Sequence, residues 1–205
     1  MLKLTNINKV FNEGTPDEKV ALGDINLHLA PGDFVTIIGS NGAGKSTMMN
    51  MISGALTPDF GTIHINGKNV TGDAEYKRAR HIGRVFQDPM AGTAPSMTIE
   101  ENLAIAYNRT KTRTLGFGVN KKKKDIYRTA LEMLSLNLEN RLNAKVGLLS
   151  GGERQALSLL MATFTQPSIL LLDEHTAALD PSRAELITKL TKQLVEKDSL
   201  TTLMV

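Results

Sequence analysis

The segment from residue 39 to residue 46 constrains this chain more than any other part of its sequence. It has a glycine, four variable positions, a second glycine, then Lys and Ser, written out as Gly39, Ser40, Asn41, Gly42, Ala43, Gly44, Lys45 and Ser46. An apolar segment, Phe34–Ile38, precedes it, and a helix is expected over Ser46–Ser53. Glycines let the backbone turn so that successive N–H groups face phosphate oxygens, and the helix N-terminus adds its positive dipole end. The pattern therefore predicts a nucleotide-phosphate site.

Three side chains at the end of this loop and just after it are expected to contact the nucleotide or its metal ion. Lys45 is expected to reach the β and γ phosphates, and the hydroxyl of Ser46 to bind Mg²⁺. Thr47, the next residue, is also expected to contact the nucleotide. The alternative is a glycine-rich turn that ends in Lys-Ser by chance. The strand–loop–helix setting favours phosphate binding over that alternative.

Two acids follow a second apolar segment. Ile169–Leu172 is predicted to be a buried strand, and Asp173 and Glu174 come directly after it. Ligands of open parallel sheets gather at the carboxyl ends of strands. Asp173 is therefore expected to hold Mg²⁺, directly or through water, and Glu174 to accept a proton from the attacking water or to orient it. Alone, an acidic loop after a buried strand is the commoner explanation, but the phosphate loop reverses that preference.

Strands and helices are predicted to alternate along most of the chain, which indicates an α/β core with a mostly parallel sheet. Apolar and alternating segments predict strands over residues 2–11, 20–29, 34–38, 82–86 and 169–172. Periodicity and capping residues predict further helices from residue 98 toward 107, over 121–136, from 150 toward 164, and from 180 onward. Asn66-Gly67 predicts a hairpin turn. The helical stretch from about residue 90 to 150 interrupts the alternation and suggests an inserted subdomain.

Composition excludes several classes of protein. The net charge is only +3 and aromatic residues make up 4%, whereas a nucleic-acid binder usually has a dense basic stripe with aromatics beside it. The chain has no cysteine, so it has neither disulfides nor thiolate metal sites. It has no apolar run near the roughly 18 residues that span a bilayer, and its N-terminus lacks a signal-peptide pattern. We therefore expect a cytoplasmic chain, and any membrane role would have to come through a partner.

Some conspicuous residues receive structural interpretations. The run Lys121–Lys124 is compatible with contact to anionic lipid or nucleic acid, but such a run is more often the solvated start of a helix. Met48, Met49 and Met51 are expected to pack in the core. His175 lies beside the two acids, yet a single histidine without a second ligand is not a metal site. A packing or interface role is expected for it.

A second glycine-containing helix start lies about twenty residues before the acids. Leu149 precedes Ser150, Gly151, Gly152 and Glu153, and the Ser and Glu form a capping box. Two glycines at a helix N-terminus make a second anion site, although the phosphate loop already provides the first. This indicates a second protomer, with each nucleotide held between two chains.

The whole set of motifs resembles the ABC (ATP-binding cassette) ATPases. Leu149–Glu153 is similar to their LSGGQ signature, with Glu where Gln is more usual. Gln87, in the sequence Val-Phe-Gln-Asp, matches the family's Q-loop, which senses Mg²⁺ and the attacking water. Ala177–Asp180 resembles the D-loop. Phe11 falls where the family has an aromatic that stacks on adenine. The motifs are in the family's order and cover nearly the whole chain.

The resemblance implies a P-loop NTPase fold with a RecA-like core, an antiparallel β subdomain and an inserted helical subdomain. The core and β subdomain are expected over residues 1–89 and 160–205, and the helical subdomain over 90–159. ATP and Mg²⁺ are the implied cofactors, and ATP drives head-to-tail dimerisation. Glu174, Gln87 and Lys45 are the implied catalytic residues, and Gln87 joins Ser46 and Asp173 at the metal. Further nucleotide contacts are implied for Phe11, the phosphate loop, Ser150, Gly151, Gly152, Glu153 and Asp180.

The resemblance also implies partners. We expect a homodimer or paired cassette at the cytoplasmic face of the membrane, joined to transmembrane permease subunits and, for uptake, an extracytoplasmic substrate-binding protein. The segments Ala94–Leu103 and Asp173–Thr176 resemble ATPases of bacterial uptake systems, some associated with aromatic amino acids. One alternative is a nucleic-acid-directed ABC ATPase, but this chain has one phosphate loop and no sustained heptads. Another is a nucleotide-gated binding module with little turnover, which Glu174 argues against.

The chain departs from the family pattern at three points. Glu153 replaces the usual Gln, and His175 stands where the family often has Pro. The third is the end of the chain at Leu200–Val205, inside an apolar segment that reads as a strand. In the family this strand leads to a switch histidine at the γ-phosphate. The expectation is a truncated chain that binds ATP and turns it over poorly.

Overall fold

The structure is a computed structural model, and it describes residues 1–111 and 118–205. Its strands are β1 (Leu2–Phe11), β2 (Lys19–Leu29), β3 (Phe34–Thr36), β4 (Phe60–Ile65), β5 (Lys68–Asn69), β6 (Ile82–Val85), β7 (Ile169–Leu172) and β8 (Thr201–Met204). Its α-helices are α1 (Lys45–Ser53), α2 (Glu75–Arg78), α3 (Ile99–Asn108), α4 (Lys121–Glu132), α5 (Gly151–Thr163) and α6 (Pro181–Asp198). Two compact units form, one from residues 1–83, 168–173 and 199–205, the other from 84–167 and 174–198. Residues 112–117 of the predicted helical subdomain lie outside the described residues.

An antiparallel sheet in the order β2-β1-β4-β5 belongs to the first unit. Strand β1 pairs with β2 from Leu2 opposite Leu29 to Phe11 opposite Lys19. The predicted hairpin turn at Asn66-Gly67 is confirmed, because β4 and β5 pair antiparallel on either side of it. Asn66 and Gly67 have φ angles of 52° and 77°. Positive φ at both central residues is what the tightest hairpin turns require.

A mostly parallel sheet in the order β3-β8-β7-β6 contains the strands that lead to the predicted site. In register, Thr36 of β3 and Leu172 of β7 both pair with Met204 of β8. The carboxyl ends of β3 and β7 are therefore level. The strand predicted over 34–38 is two residues too long, because the chain leaves the sheet after Thr36. One more hydrogen bond follows the strand, in which Ile37 N donates to Met204 O at 2.8 Å.

Helix α1 is anchored in the core of the first unit. Met49 and Ile52 have no exposed surface and Met51 is 1% exposed, which confirms the predicted packing role of the methionines. They contact apolar residues of the antiparallel sheet and the buried strands Ile169–Leu172 and Thr201–Met204. Packing of this kind fixes where the helix begins. It therefore also fixes the loop in front of it.

One buried arginine holds the other end of α1. The Arg78 guanidinium is 1% exposed and donates to Met51 O at 2.6 Å and Ile52 O at 3.1 Å. It also donates to Thr71 O and Asp73 O, both at 2.9 Å. Burial lowers the pKa of Arg78 below its ordinary value. Because terminal helix carbonyls lack partners within the helix, this side chain satisfies groups that burial would otherwise leave unpaired.

The second unit is helical. Its interior includes a cluster of three rings, in which Tyr107 lies 5.9 Å from Tyr127 and 5.7 Å from Phe164 between ring centroids.

Helix α4 was predicted to reach residue 136 but ends at Glu132, since the chain tightens into i→i−3 hydrogen bonds and Ser135 has a φ of 54°. Among the described residues, no helix combines the length and apolar character needed to cross a bilayer.

Candidate functional site

The phosphate loop lies in the first unit, between β3 and α1, where the sequence predicted it. Gly42 and Gly44 have φ angles of 83° and 86°, in the left-handed region that favours glycine. A Cβ atom at Gly44 would lie 2.3 Å from Ala21 O and 2.8 Å from Leu22 Cδ2. Both the backbone angle and the close approach of β2 therefore require glycine at this position. The loop is built as a tight backbone cradle.

Lys45 is held at the mouth of this cradle. Its Nζ donates to Gly39 O at 2.8 Å and to Ser40 O at 3.1 Å, so the ammonium group lies over the loop. Helix α1 begins at Lys45, and its N-cap, Gly44, has no side chain with which to cap the first turn. A helix start of this kind favours an anion through its N–H groups and its dipole. The residues therefore fit a nucleotide phosphate.

Asp173 lies at the same edge of the parallel sheet as the start of the phosphate loop. Asp173 directly follows Leu172. Leu172 of β7 is level with Thr36 of β3, and Thr36 lies three residues before Gly39, where the phosphate loop begins. Ser46 and Asp173 offer oxygen ligands, which Mg²⁺ prefers, and such sites usually combine one or two carboxylates with phosphate oxygens. Within the described part of the chain, no three His, Asp or Glu side chains cluster as a complete metal site. The donor set fits a metal that is bound together with a nucleotide.

Gln87 and Glu174 meet in the second unit. Gln87 Nε2 donates to Glu174 Oε2 at 3.2 Å, although 87 positions separate the two residues in the chain. Glu174 has a φ of 43°, an unusual conformation for a residue other than glycine, asparagine or aspartate. Such strain persists only where the surroundings hold it, and it is common at functional sites. The structure thus brings together two of the three predicted catalytic side chains.

The predicted signature segment forms the N-terminus of α5, and its capping box is confirmed. Ser150 Oγ accepts from Glu153 N at 3.3 Å, and Glu153 Oε2 accepts from Ser150 N at 2.7 Å. Arg141 Nη1 donates to Glu153 Oε1 at 2.7 Å. Burial raises the pKa of Glu153, but the hydrogen bonds from Ser150 and the Arg141 charge outweigh it, and that pKa lies below its ordinary value. Arg141 therefore compensates the charge that Glu153 introduces in place of the family's glutamine.

The glycines of this segment are closely packed. A Cβ atom at Gly152 would lie 3.0 Å from Arg183 Cδ, and one at Gly151 would lie 3.8 Å from Leu179 Cδ2. Arg183 also pairs with Asp180, its Nε lying 3.2 Å from Asp180 Oδ2. Asp180 Oδ1 accepts from Ser182 Oγ at 2.8 Å and from Arg183 N at 3.1 Å. These bonds lower the pKa of Asp180, with the Ser182 bond contributing most. Asp180 therefore caps α6, and its predicted contact across a dimer stays a prediction.

Phe11 ends β1 in the first unit and pairs with Lys19 of β2. Its ring is partly exposed, and Lys9 Nζ lies 5.7 Å from the ring centroid. Asp59 fixes this end of the strand, since its carboxylate accepts from Lys9 Nζ at 2.6 Å and from Val10 N at 2.7 Å. The stacking of Phe11 on adenine stays a prediction.

His175 is a buried residue of the second unit, 6% exposed, which confirms a packing role. Its Nε2 lies 3.1 Å from Thr191 Oγ1, and that hydroxyl donates to Ile187 O at 2.8 Å. Because the hydroxyl hydrogen is used in this way, the imidazole is the donor in its pair with Thr191. Burial lowers the pKa of His175 to about 4, so the ring is neutral near pH 7.

Sequence reasoning missed two residues that contact the predicted site. Arg141 pairs with Glu153, and the side chain of Gln155 bonds to backbone beside the Gln87–Glu174 pair. Neither residue forms a recognisable pattern with its partners along the chain. The capping box at Ser150 does place Gln155 in the helix that follows it, but it does not identify what Gln155 binds.

Known proteins resemble this chain over its full length. The family model described as "ABC transporter" matches residues 22–177. A tyrosine transport ATP-binding protein of Clostridioides difficile is 43% identical over 205 residues, covering 100% of this chain and 81% of that protein. An energy-coupling factor transporter ATP-binding protein of Acetivibrio thermocellus is 34% identical, covering 100% of this chain and 70% of that protein.

Solved structures agree with these sequence relatives. A dimeric ATP-binding cassette in a post-hydrolysis state, bound to ADP and phosphate, superposes with a TM-score of 0.83 at 32% identity. The match covers 100% of this chain and 87% of that one. A second dimeric structure of the same bacterial ABC transporter cassette gives a TM-score of 0.82 at 31% identity and the same coverage.

Proposed function

Because this chain belongs to the ABC transporter family of ATP-binding proteins, we propose that its phosphate loop, Asp173, Gln87 and Glu174 carry the binding and hydrolysis of Mg-ATP. The chain is an ATP-hydrolysing subunit that powers transport through separate transmembrane partners. The observation that carries the residue assignment is the cradle at Gly44, where a left-handed backbone and a 2.3 Å approach to Ala21 O exclude any side chain.

Each residue has a distinct role in the proposed reaction. The phosphate-loop N–H groups and Lys45 bind the phosphates and stabilise negative charge on the γ-phosphoryl oxygens. Ser46 and Asp173 would hold Mg²⁺, with Gln87 as a further ligand, and the ion would supply positive charge that neutralises the phosphate oxygens. Glu174 orients the water and accepts its proton. The water oxygen attacks the γ-phosphorus, the bond to the bridging oxygen breaks, and ADP and phosphate are released.

Gln87 also fixes the base. Its amide donates to Glu174 Oε2 at 3.2 Å, which leaves Glu174 Oε1 for the water. A general base must lie within hydrogen-bond reach of the proton that it accepts. Gln87 therefore orients the carboxylate as well as contributing to metal binding. The two roles suit an amide, whose nitrogen donates and whose oxygen accepts.

The active form is proposed to be a head-to-tail dimer, in which Ser150, Gly151, Gly152 and Glu153 contact the nucleotide of the partner protomer. Similar cassettes are dimeric, one of them with ADP and phosphate bound, which supports a dimeric active form. Asp180 is proposed to reach across the same interface. Phe11 is proposed to stack on the adenine of its own protomer's nucleotide. A paired, non-identical cassette would satisfy the same contacts.

The transport direction and cargo are further proposals. We propose that the chain lies at the cytoplasmic face of the membrane, bound to permease subunits and working with an extracytoplasmic substrate-binding protein. An aromatic amino acid as cargo is supported by the tyrosine transport ATP-binding protein, which is 43% identical over the full chain. Uptake as the direction is supported by a methionine import ATP-binding protein that is 34% identical. Direct binding of nucleic acid is not part of the proposal.

Ser150→Arg is expected to leave ATP binding by the monomer within twofold of wild type and to lower dimer-dependent turnover at least tenfold. A long cation at the signature would collide with the partner's nucleotide instead of donating a hydroxyl. ATP affinity is measured by calorimetry, and turnover by phosphate release in the assembled transporter. Cooperative hydrolysis at the wild-type rate would show that the signature does not face a partner's nucleotide.

Thr98→Arg is the matched control for this variant. Thr98 caps α3 with the same kind of capping box, closed by Glu101, so its substitution removes an equivalent helix cap away from the signature. The loss of a cap costs about 1 kcal/mol of stability in either helix. In size-exclusion chromatography, the Thr98 variant of the isolated chain should still form the ATP-dependent dimer, whereas the Ser150 variant should not.

A further inference from the structure

Gln155 is a fully buried polar side chain of α5, with no exposed surface. Its amide nitrogen donates to two backbone carbonyl groups, His175 O at 2.7 Å and Phe86 O at 3.4 Å. The amide has two hydrogens, one for each carbonyl. A single side chain therefore connects α5 to two segments that are 69 and 20 positions away in the chain.

Both carbonyls belong to residues adjacent to the catalytic pair. Phe86 immediately precedes Gln87, and His175 immediately follows Glu174. The Gln87–Glu174 hydrogen bond closes a ring of contacts that runs through the Gln155 amide. If the amide moved, the backbones on both sides of the catalytic pair would lose a common anchor. The strained φ of 43° at Glu174 needs such an anchor to persist.

Stability alone explains Gln155 poorly. Its Oε1 atom is buried and has no hydrogen-bond partner among the described residues. An unpaired buried acceptor costs on the order of 1–3 kcal/mol, which an apolar side chain of the same length would avoid. Because the amide is retained at this cost, we infer that its NH₂ group has a role beyond stability.

Neighbouring residues of α5 contact the segment that follows Gln87. Arg154 Nη1 lies 2.6 Å from Met90 Sδ, while its Nη2 donates to Leu149 O at 2.9 Å within the signature segment. One helical turn further, a Cβ atom at Gly92 would lie 2.5 Å from Ser158 Oγ, so the chain runs closely against the helix there. The helix that carries the signature is thus also the support of the Gln87 segment.

We propose that Gln155 is a positioning residue, which sets the geometry of the Gln87–Glu174 pair and links it to the helix that begins at the signature. The proposal rests on the function proposed above for Gln87 and Glu174. Gln155 itself does not touch the nucleotide. It acts by holding the carbonyls of Phe86 and His175, which connects the backbone on both sides of the catalytic pair to the helix that carries the signature.

Gln155→Met tests this role, since it keeps the length and volume of the side chain and removes the amide. In the assembled transporter, kcat is expected to fall at least tenfold while KM for ATP stays within twofold, because misplacement of a catalytic group by about 1 Å costs up to a hundredfold in rate. Gln155→Asn keeps an amide one methylene shorter, which withdraws from both carbonyls. Gln155→Asn is also expected to lower kcat while KM for ATP stays nearly unchanged. It serves as the second variant if Gln155→Met does not fold.

Thr163→Val is the matched control on the same helix. Thr163 is 3% exposed, and its side-chain hydroxyl donates to Leu159 O and Leu160 O of its own helix, at 3.0 Å and 3.2 Å. The variant loses buried hydrogen bonds without touching the catalytic pair, so kcat should stay within twofold of wild type. Thermal unfolding of all the variants separates loss of stability from loss of geometry.

Glu174→Gln, assayed in parallel, separates failure of this proposal from failure of the proposed function. If Glu174→Gln abolishes turnover but a folded Gln155 variant keeps the wild-type kcat, the positioning role is wrong and the function stands. An equal loss of kcat in Thr163→Val would also overturn it, because the effect would then be one of general destabilisation. If Glu174→Gln keeps full turnover, the base assignment fails and the positioning role fails with it.

Discussion

Replacing Glu174 by Gln is expected to lower kcat for ATP about a thousandfold, within the range of general-base contributions, while ATP still binds. The neutral amide cannot accept the proton of the attacking water. Its oxygen can still accept the hydrogen bond from Gln87 Nε2, now 3.2 Å from the carboxylate. The geometry of the pair is therefore retained and the proton acceptor is lost. ATP that binds but is not cleaved should hold the chain in its dimeric form.

Phosphate release in the assembled transporter measures the fall in kcat, and size-exclusion chromatography with Mg-ATP measures how long the dimer persists. Glu185→Gln is the matched control, because it makes the same chemical change at an exposed position on α6. Its kcat should stay within twofold of wild type, and its dimer should dissociate as ATP is consumed. Full turnover by the Glu174 variant would remove that residue from the role of base.

Lys45→Ala is expected to weaken the binding of Mg-ATP at least a hundredfold. The Lys45 ammonium is positioned over the phosphate loop by the carbonyls of Gly39 and Ser40, 2.8 and 3.1 Å away. Hydrogen bonds to charged groups contribute about 1.5–3 kcal/mol each, so loss of one bond to the β phosphate and one to the γ phosphate corresponds to a hundredfold or more in affinity. Isothermal titration calorimetry measures the affinity directly.

Lys68→Ala controls for the change in net charge. Lys68 is exposed in the β4–β5 hairpin of the same unit, so its loss leaves the phosphate loop intact. Its affinity for Mg-ATP should equal that of the wild type within twofold. If Lys45→Ala also bound Mg-ATP as tightly as wild type, the assignment of the phosphate loop would be wrong.

Local sequence rules were sufficient for the elements that carry the site. The buried strand Ile169–Leu172 and the hairpin turn at Asn66-Gly67 were predicted at their observed positions. The capping boxes at Thr98 and Ser150 were also predicted correctly. In each case the determining interactions lie within a few residues of one another, so the sequence contains both partners side by side.

Long-range partners were not predictable in this way. Helix α4 keeps its apolar pattern beyond Glu132, but the chain leaves the α-helix through i→i−3 hydrogen bonds and the left-handed Ser135. The carbonyls that Gln155 and Arg78 bind lie 20 or more positions away in most cases, and backbone carbonyls have no sequence signature. Periodicity alone would place both side chains on a helix without naming what they bind.

In the proposed dimer, each ATP is held by the phosphate loop of one protomer and cleaved with the signature of the other. The direct measurement is ATP turnover by an equal mixture of the Lys45→Ala and Ser150→Arg chains, with the same membrane partners. Each variant alone should be inactive, but a mixed dimer contains one site with both residues intact. Since about half of randomly paired dimers are mixed and each has one intact site of two, the mixture should recover about a quarter of wild-type turnover. A mixture as inactive as its components would contradict the claim.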